Sequence, residues 1–241
     1  VGLRVGAPPA ADRQDDGVNT LATLWHSGFF PELLAAMAIN LWIATVALAL
    51  GLTVGLPLVL LQLGGRVQQA LAGALVGPMR AAPTFVVMFF LLNLIPPDFS
   101  LFGQPLALSP RAIVALSLLP YAAAYVADNG REAVLQLRRG ATDSALLFLP
   151  NLMRAFFVLV MSSGAAAAIG VGEGVAVVLR EAERWPTLAE KFVVFGSGVA
   201  CFGLVFQTGF ALVRLVRGWL GPRARRQSER SRLPLGDSGT G

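Results

Sequence analysis

Long apolar runs, each bounded by charge or proline, dominate the pattern of this chain. No Asp, Glu, Lys or Arg occurs between Glu32 and Arg66. A bilayer's hydrocarbon core is about 30 Å thick and takes roughly 20 apolar residues of helix to cross. The run predicts a first span over Leu33–Leu61, long enough to cross with tilt. Gly51, Gly55 and Pro57 within it predict close packing or a bend. A second run, Leu71–Ile95, is interrupted by Arg80 and Pro83. Pro83 removes a backbone donor and predicts a kink or a break. Pro96 and Pro97 end this run and open a loop, Asp98–Pro110. Further runs cover Arg111–Ala127, which contains Pro120, then Met153–Val171, rich in small residues from Ser162 to Ala168, and Phe192–Val213. The pattern predicts an all-α integral membrane protein with about five transmembrane helices.

The segments outside the runs divide the chain. Residues 1–28 are polar and acidic, with Asp12, Asp15 and Asp16, and lack the apolar stretch and small-residue cleavage site of a signal peptide. They read as a flexible N-terminal tail, residues 29–221 as the transmembrane domain, and residues 222–241, Arg-rich and then Ser- and Gly-rich, as a disordered cytoplasmic tail.

Basic residues orient the spans. Arg66, Arg131, Arg138, Arg139 and Arg154 flank the connections after the first and third runs, and Arg214, Arg217, Arg223, Arg225 and Arg226 follow the fifth. The Asp98–Pro110 loop has no basic residue. The positive-inside bias puts the N-terminus outside and the C-terminus in the cytoplasm, which an odd number of crossings satisfies.

Composition narrows the chemistry. Of 241 residues 55% are hydrophobic and 14% charged, against roughly a quarter charged in soluble domains. The net charge of +5 comes from Arg clustered beside apolar runs and in the tail, which suits a lipid surface rather than nucleic acid. Cys201 and His26 are single residues of their kind, so an intrachain disulfide and a Cys/His zinc site are both excluded. No Gly-rich phosphate loop ending in Lys and Ser or Thr is present, and Gly170–Gly174 follows an apolar helix rather than a strand. No catalytic residue set is expected: His26, the one His, falls in or near the external tail, which leaves no credible Ser/His/Asp triad. No metal or cofactor is expected on this chain.

The informative polar residues are those within the runs. Arg80 beside Pro83 reads either as an interfacial arginine reaching for water or as the lining of a transport path. Ser162, Ser163 and Gly164 read either as close helix packing or as path lining. Asn93 reads as a helix contact.

Three stretches carry a resemblance. PMRAAPTFVVMFFLLNLIP, Pro78–Pro96, resembles an F-R-G-T-P segment followed by an apolar run, with Arg80 and Pro83 matching and Ala81 and Ala82 replacing Gly and Thr. YAAAYVADNGREAV, Tyr121–Val134, resembles S-A-A-Y-x-A-E-x-x-R-G-G-I, with Ala124, Tyr125, Ala127 and Arg131 matching and Asp128 in place of Glu. IGVGE, Ile169–Glu173, resembles I-G-V-x-E. In order and spacing they resemble the permease subunit of polar-amino-acid ABC importers of the histidine/glutamine type, from about Asn40 to Leu220.

The resemblance implies a type I ABC importer permease fold in a bacterial inner membrane. It implies four partners: a cytoplasmic ABC ATPase that holds ATP and Mg, a second permease subunit, an external solute-binding protein and membrane lipid. It assigns Gly140, Asp143, Ser144, Ala145 and Leu149 to the loop that an ATPase grips. It assigns Arg80, Tyr125, Asp128, Ser162, Ser163, Gly164 and Glu173 to the translocation path. The loop departs from the family's E-A-A and following Gly, reading Asp143-Ser144-Ala145 with Leu149 at the Gly position, and it is shorter. The family's K-D-T-S is replaced by Met161-Ser162-Ser163-Gly164. These departures imply one half of a heteromeric permease. A small ion-coupled carrier or channel, or a structural membrane subunit, are the competing readings. The scarcity of ionisable residues inside the runs weighs against a carrier.

Overall fold

The computed structural model describes residues 10–95, 100–101, 104–105, 108–145 and 147–230. Helix α1 (Ala10–His26) leads through a turn at Gly28, with φ of 81°, into α2 (Phe29–Gln62). The second apolar run forms α3 (Arg66–Ala81) and α4 (Thr84–Leu94). A two-residue antiparallel ladder, β1 (Ser100–Leu101) with β2 (Gln104–Pro105), lies in the following loop. Then come α5 (Pro110–Ser117), α6 (Leu119–Arg138), the short α7 (Thr142–Ala145) and α8 (Phe148–Ser163). A 3-10 turn (Gly164–Ile169), α9 (Gly174–Glu183) and α10 (Leu188–Arg230) complete the order.

Among the described residues, four segments are each long and apolar enough to cross a membrane: Phe29–Gln62, Pro110–Arg138, Phe148–Ile169 and Leu188–Leu212. The pair α3–α4 is bent by 92° and makes a fifth where it counts as one broken span. The break falls at Ala82 and Pro83, both extended. Pro83 has no N–H to continue the α3 ladder, and proline drives the residue before it out of helical conformation. The sequence reading of this crossing as kinked or broken therefore holds.

α2 is the central mast. Its Gly51 and Gly55 meet Ala122, Ala123 and Val126 of α6, and Gly130 of α6 meets Val59. At Gly51 an added Cβ would lie 2.5 Å from the Ala122 Cβ. Inside lipid, apolar burial gives helices little reason to associate, so backbone-close packing of small residues supplies the attraction. Around this seam Ile43, Ala47, Met88, Val114, Leu118 and Leu159 form a hydrophobic core.

Several boundaries differ from expectation. Residues 1–28 were expected as a flexible tail, yet Ala10–His26 is helical. Its Leu24 is fully buried among Phe29, Leu33, Val178 and Val194. A search for uncharged runs overlooks a helix that packs only one narrow stripe. The tail expected to be disordered from residue 222 is helical as far as Arg230, because α10 continues. Residues 1–9 and 231–241 lie outside the described residues. The polar stretch from Asp128 to Arg138 continues α6 instead of forming a connection. Glu132 there accepts from Gln136 at 2.6 Å, one helical turn on. Pro120 separates α5 from α6 only slightly, and Ala122 still donates to the Leu118 carbonyl at 3.1 Å.

Candidate functional site

Two polar groupings, a small cavity and the turn around one short helix hold the site residues singled out in the sequence. The first grouping joins α2, α8 and α9 in the interior. Asn40, Ser163 and Glu173 are all fully buried. Asn40 Nδ2 donates to Ser163 Oγ at 2.8 Å and to Glu173 Oε2 at 2.6 Å. Asn40 Oδ1 accepts from the Gly174 N–H at 2.9 Å. Glu173 is the N-cap of α9, accepting from the Val175 N–H at 2.9 Å and the Ala176 N–H at 3.1 Å. Ser163 Oγ in turn donates to the Val160 carbonyl at 2.7 Å. Every polar atom of Asn40 and both oxygens of Glu173 are engaged. The carboxylate is thus held by donors at a helix N-terminus, where the helix dipole also favours it. It acts here as a structural cap.

Asn40 was missed as a site residue. It is one of two amides in the charge-free run from Glu32 to Arg66, the other, Gln62, standing at the end of α2, and a polar group in the middle of such a run needs a buried partner. That signal was available, but which residue would answer it was not. Gly164 sits close by for a steric reason: an added Cβ would lie 2.8 Å from Val175 Cγ2. This is the packing role among its two readings.

The second grouping lies at the broken span. Arg80, in the last turn of α3, donates through one nitrogen to both oxygens of Asp128 on α6, at 2.8 and 2.7 Å. The side chains are 64% and 41% exposed. Tyr125 stands one turn before Asp128; its ring lies 6.0 Å from that of Tyr121, and its carbonyl accepts from Asn129. Asn129 in turn accepts from Asn151, tying α6 to the start of α8. Among the described residues, Asn93 donates to Phe89 of its own helix and to no other helix, contrary to the expected contact across helices.

Ser162 and Ser163, adjacent in sequence, face opposite ways. Ser163 belongs to the buried network, whereas Ser162 lines a cavity of about 180 Å³ beside the break. Thr84, Ser117 and Leu118 line the same cavity, so three hydroxyl-bearing residues meet at the N-terminus of α4. A larger cavity of about 490 Å³, between α8, α9 and α10, is lined by apolar residues such as Val160, Met161, Leu179 and Phe206. It has no group able to orient a polar solute.

The loop residues gather at one turn. Gly140 adopts φ of 77° and ends α6: its N–H bonds the Leu137 carbonyl, and the Ala141 N–H bonds that of Gln136. This left-handed stop needs glycine. Ser144 and Ala145 lie on α7, with Ser144 exposed. Leu149 falls in the first turn of α8. Asp143 lies on the α7 backbone, and its side chain is outside the described set.

No protein-family model matches the chain, and no curated protein matches it. Two solved structures resemble it. One is a crystal structure of an amino acid ABC transporter with histidines: 17% identity, TM-score 0.59, covering 80% of this chain and 96% of that one. The other is an inward-facing structure of the MetNI methionine ABC transporter: 19% identity, TM-score 0.54, covering 76% and 95%. The chain is a multi-pass, almost wholly helical membrane protein that shares its fold with these two ABC transporter chains.

Proposed function

We propose that this chain is a membrane-spanning permease subunit of an ATP-driven, binding-protein-dependent importer of a small polar solute, an amino acid or derivative. The observation that carries the reading is the fold, which covers nearly the whole length of two transporter chains named for amino acids. Local geometry supports it. A broken span with hydroxyl residues at the break is how transporters place polar groups at membrane depth. The turn Gly140–Leu149 presents a short helix at the end of α6, on the side the Arg pattern assigns to the cytoplasm. A cytoplasmic ATPase, holding ATP and Mg, would grip α7 there and rock this chain against a second permease subunit. An external binding protein would deliver solute to the opposite face, in a bacterial inner membrane.

The departures in the loop and at Met161–Gly164 favour a heteromeric pair, this chain being one half. An ion-coupled carrier is the weaker reading, because the buried Glu173 is fully engaged as a helix cap. The test is purification of the chain from its own membranes in mild detergent. Recovery of a P-loop ATPase, with a Ser144→Cys variant crosslinking to it, is the expected result. Solute uptake by the chain alone, driven by an ion gradient without ATP, would refute the proposal. Solute-stimulated ATP hydrolysis by this chain and the ATPase without a second permease would refute the heteromeric half of it.

A further inference from the structure

Helix α1 has one face packed against its neighbours and, separate from it, one exposed apolar stripe. Thr20 and Leu24 are buried, and Gly17 approaches Val193 of α10. Val18, Leu21 and Trp25 recur at steps of three and four and form a separate stripe. They are 63%, 47% and 71% exposed. Asn19, Thr23 and His26 occupy the remaining side, also exposed. Three large apolar side chains aligned on one helix face call for a cover.

The level at which α1 sits identifies that cover. Leu24 packs where α2 begins, α9 ends and α10 begins. Charge gathers at these ends. Arg180 pairs with Glu32, and Glu190 accepts from the Thr187 backbone and hydroxyl at the start of α10. Charged residues at span ends mark where apolar helices leave the hydrocarbon. Just inward, Leu34 on α2 and Phe192 and Val199 on α10 are exposed on two spanning segments, the surface that lipid covers. The stripe on α1 continues this surface, with the Trp25 ring 5.7 Å from that of Phe30. α1 itself, with 17 residues and Asp12, Asp15 and Asp16, does not qualify as a span. A helix of low net hydrophobicity with one apolar stripe lies in the membrane plane, and tryptophan favours the headgroup level.

We propose that α1 is an interfacial anchor, seating Val18, Leu21 and Trp25 among lipid at the headgroup–acyl boundary and bracing the ends of α2 and α10. The inference depends on membrane insertion and on no particular solute. The test uses the full chain in phosphatidylcholine–phosphatidylglycerol nanodiscs with Cys201→Ala as background, since Cys201 is the one native thiol. Spin labels go singly on Val18→Cys, Leu21→Cys and Trp25→Cys, and on Asn19→Cys and Thr23→Cys. At the first three, collisions with oxygen should exceed those with a water-soluble nickel chelate severalfold. At the other two the order should invert. Free access of nickel at all five positions, or no alternation, would overturn the proposal. So would labels immobilised and shielded from both reagents, which would mean that another protein chain covers the stripe. Independently, Trp25→Phe should remove part of the quenching that brominated lipid imposes on tryptophan emission; unchanged quenching would count against it.

Discussion

Replacing Asn40 by Ala removes three hydrogen bonds at once, to Ser163, to Glu173 and from Gly174. Each is worth about 0.5–1.5 kcal/mol net, more where one partner is charged, while hydrogen bonds measured between membrane helices average nearer ~0.6 kcal/mol. The Gly174 N–H, buried at the start of α9, would be left without a partner, which costs about 1–3 kcal/mol. Glu173 keeps the Val175 and Ala176 donors, so its loss is partial. The sum is about 2–4 kcal/mol, towards the lower end if a water fills the space vacated by the amide. For a chain of this size 1 kcal/mol moves a midpoint by about 2–4 °C, so Asn40→Ala should lower the thermal midpoint in detergent by roughly 10 °C. A double-mutant cycle with Ser163→Ala should return a coupling of about 0.5 kcal/mol or more. Asn93→Ala is the control, because among the described residues that amide bonds within its own helix alone, and it is exposed. If Asn40→Ala moved the midpoint no further than Asn93→Ala, the network would not hold α9 on α2, and the reasoning fails.

Three further outcomes follow from particular contacts. Arg80→Ala and Asp128→Ala should each cost no more than about 1 kcal/mol of stability, since both side chains are substantially exposed; if the pair gates the path, each single charge reversal should lower uptake and the Arg80→Asp/Asp128→Arg swap should restore it, and a swap as poor as the singles would count against a specific pair. Gly51→Ala should destabilise by about 1–3 kcal/mol through collision with Ala122, whereas Gly73→Ala, which meets nothing within 4 Å, should be neutral or slightly stabilising; equal melting midpoints would rule out the tight α2–α6 seam. Ser162→Phe should fill the 180 Å³ cavity at the break and abolish uptake with little change in midpoint, while full uptake by that variant would place the path elsewhere.

The crossings were legible in the sequence because lipid imposes a one-dimensional rule: an uncharged run of sufficient length must be helix across the bilayer. The break at Pro83 was legible for the same local reason, as proline acts on its own backbone and that of its neighbour. The stop at Gly140 is equally local, although its left-handed geometry became evident only in the structure. Three-dimensional packing decided the rest. Ser162 and Ser163 carry the same side chain on adjacent residues, so only the rotation of α8 determines that one lines a cavity and the other is buried against Asn40. Asn40 and Glu173 are 133 residues apart, and no local pattern could pair them. Arg80 finds Asp128 only because α3 breaks where it does and packs on α6. Helix α1 escaped notice because its stability comes from one buried stripe against α2 and α10, a property of their surfaces as much as of its own residues. The sequence by itself determined which segments enter the membrane, since lipid judges each residue singly. Which polar side chains meet inside it was left to the tertiary fold, since a hydrogen bond needs both partners in place.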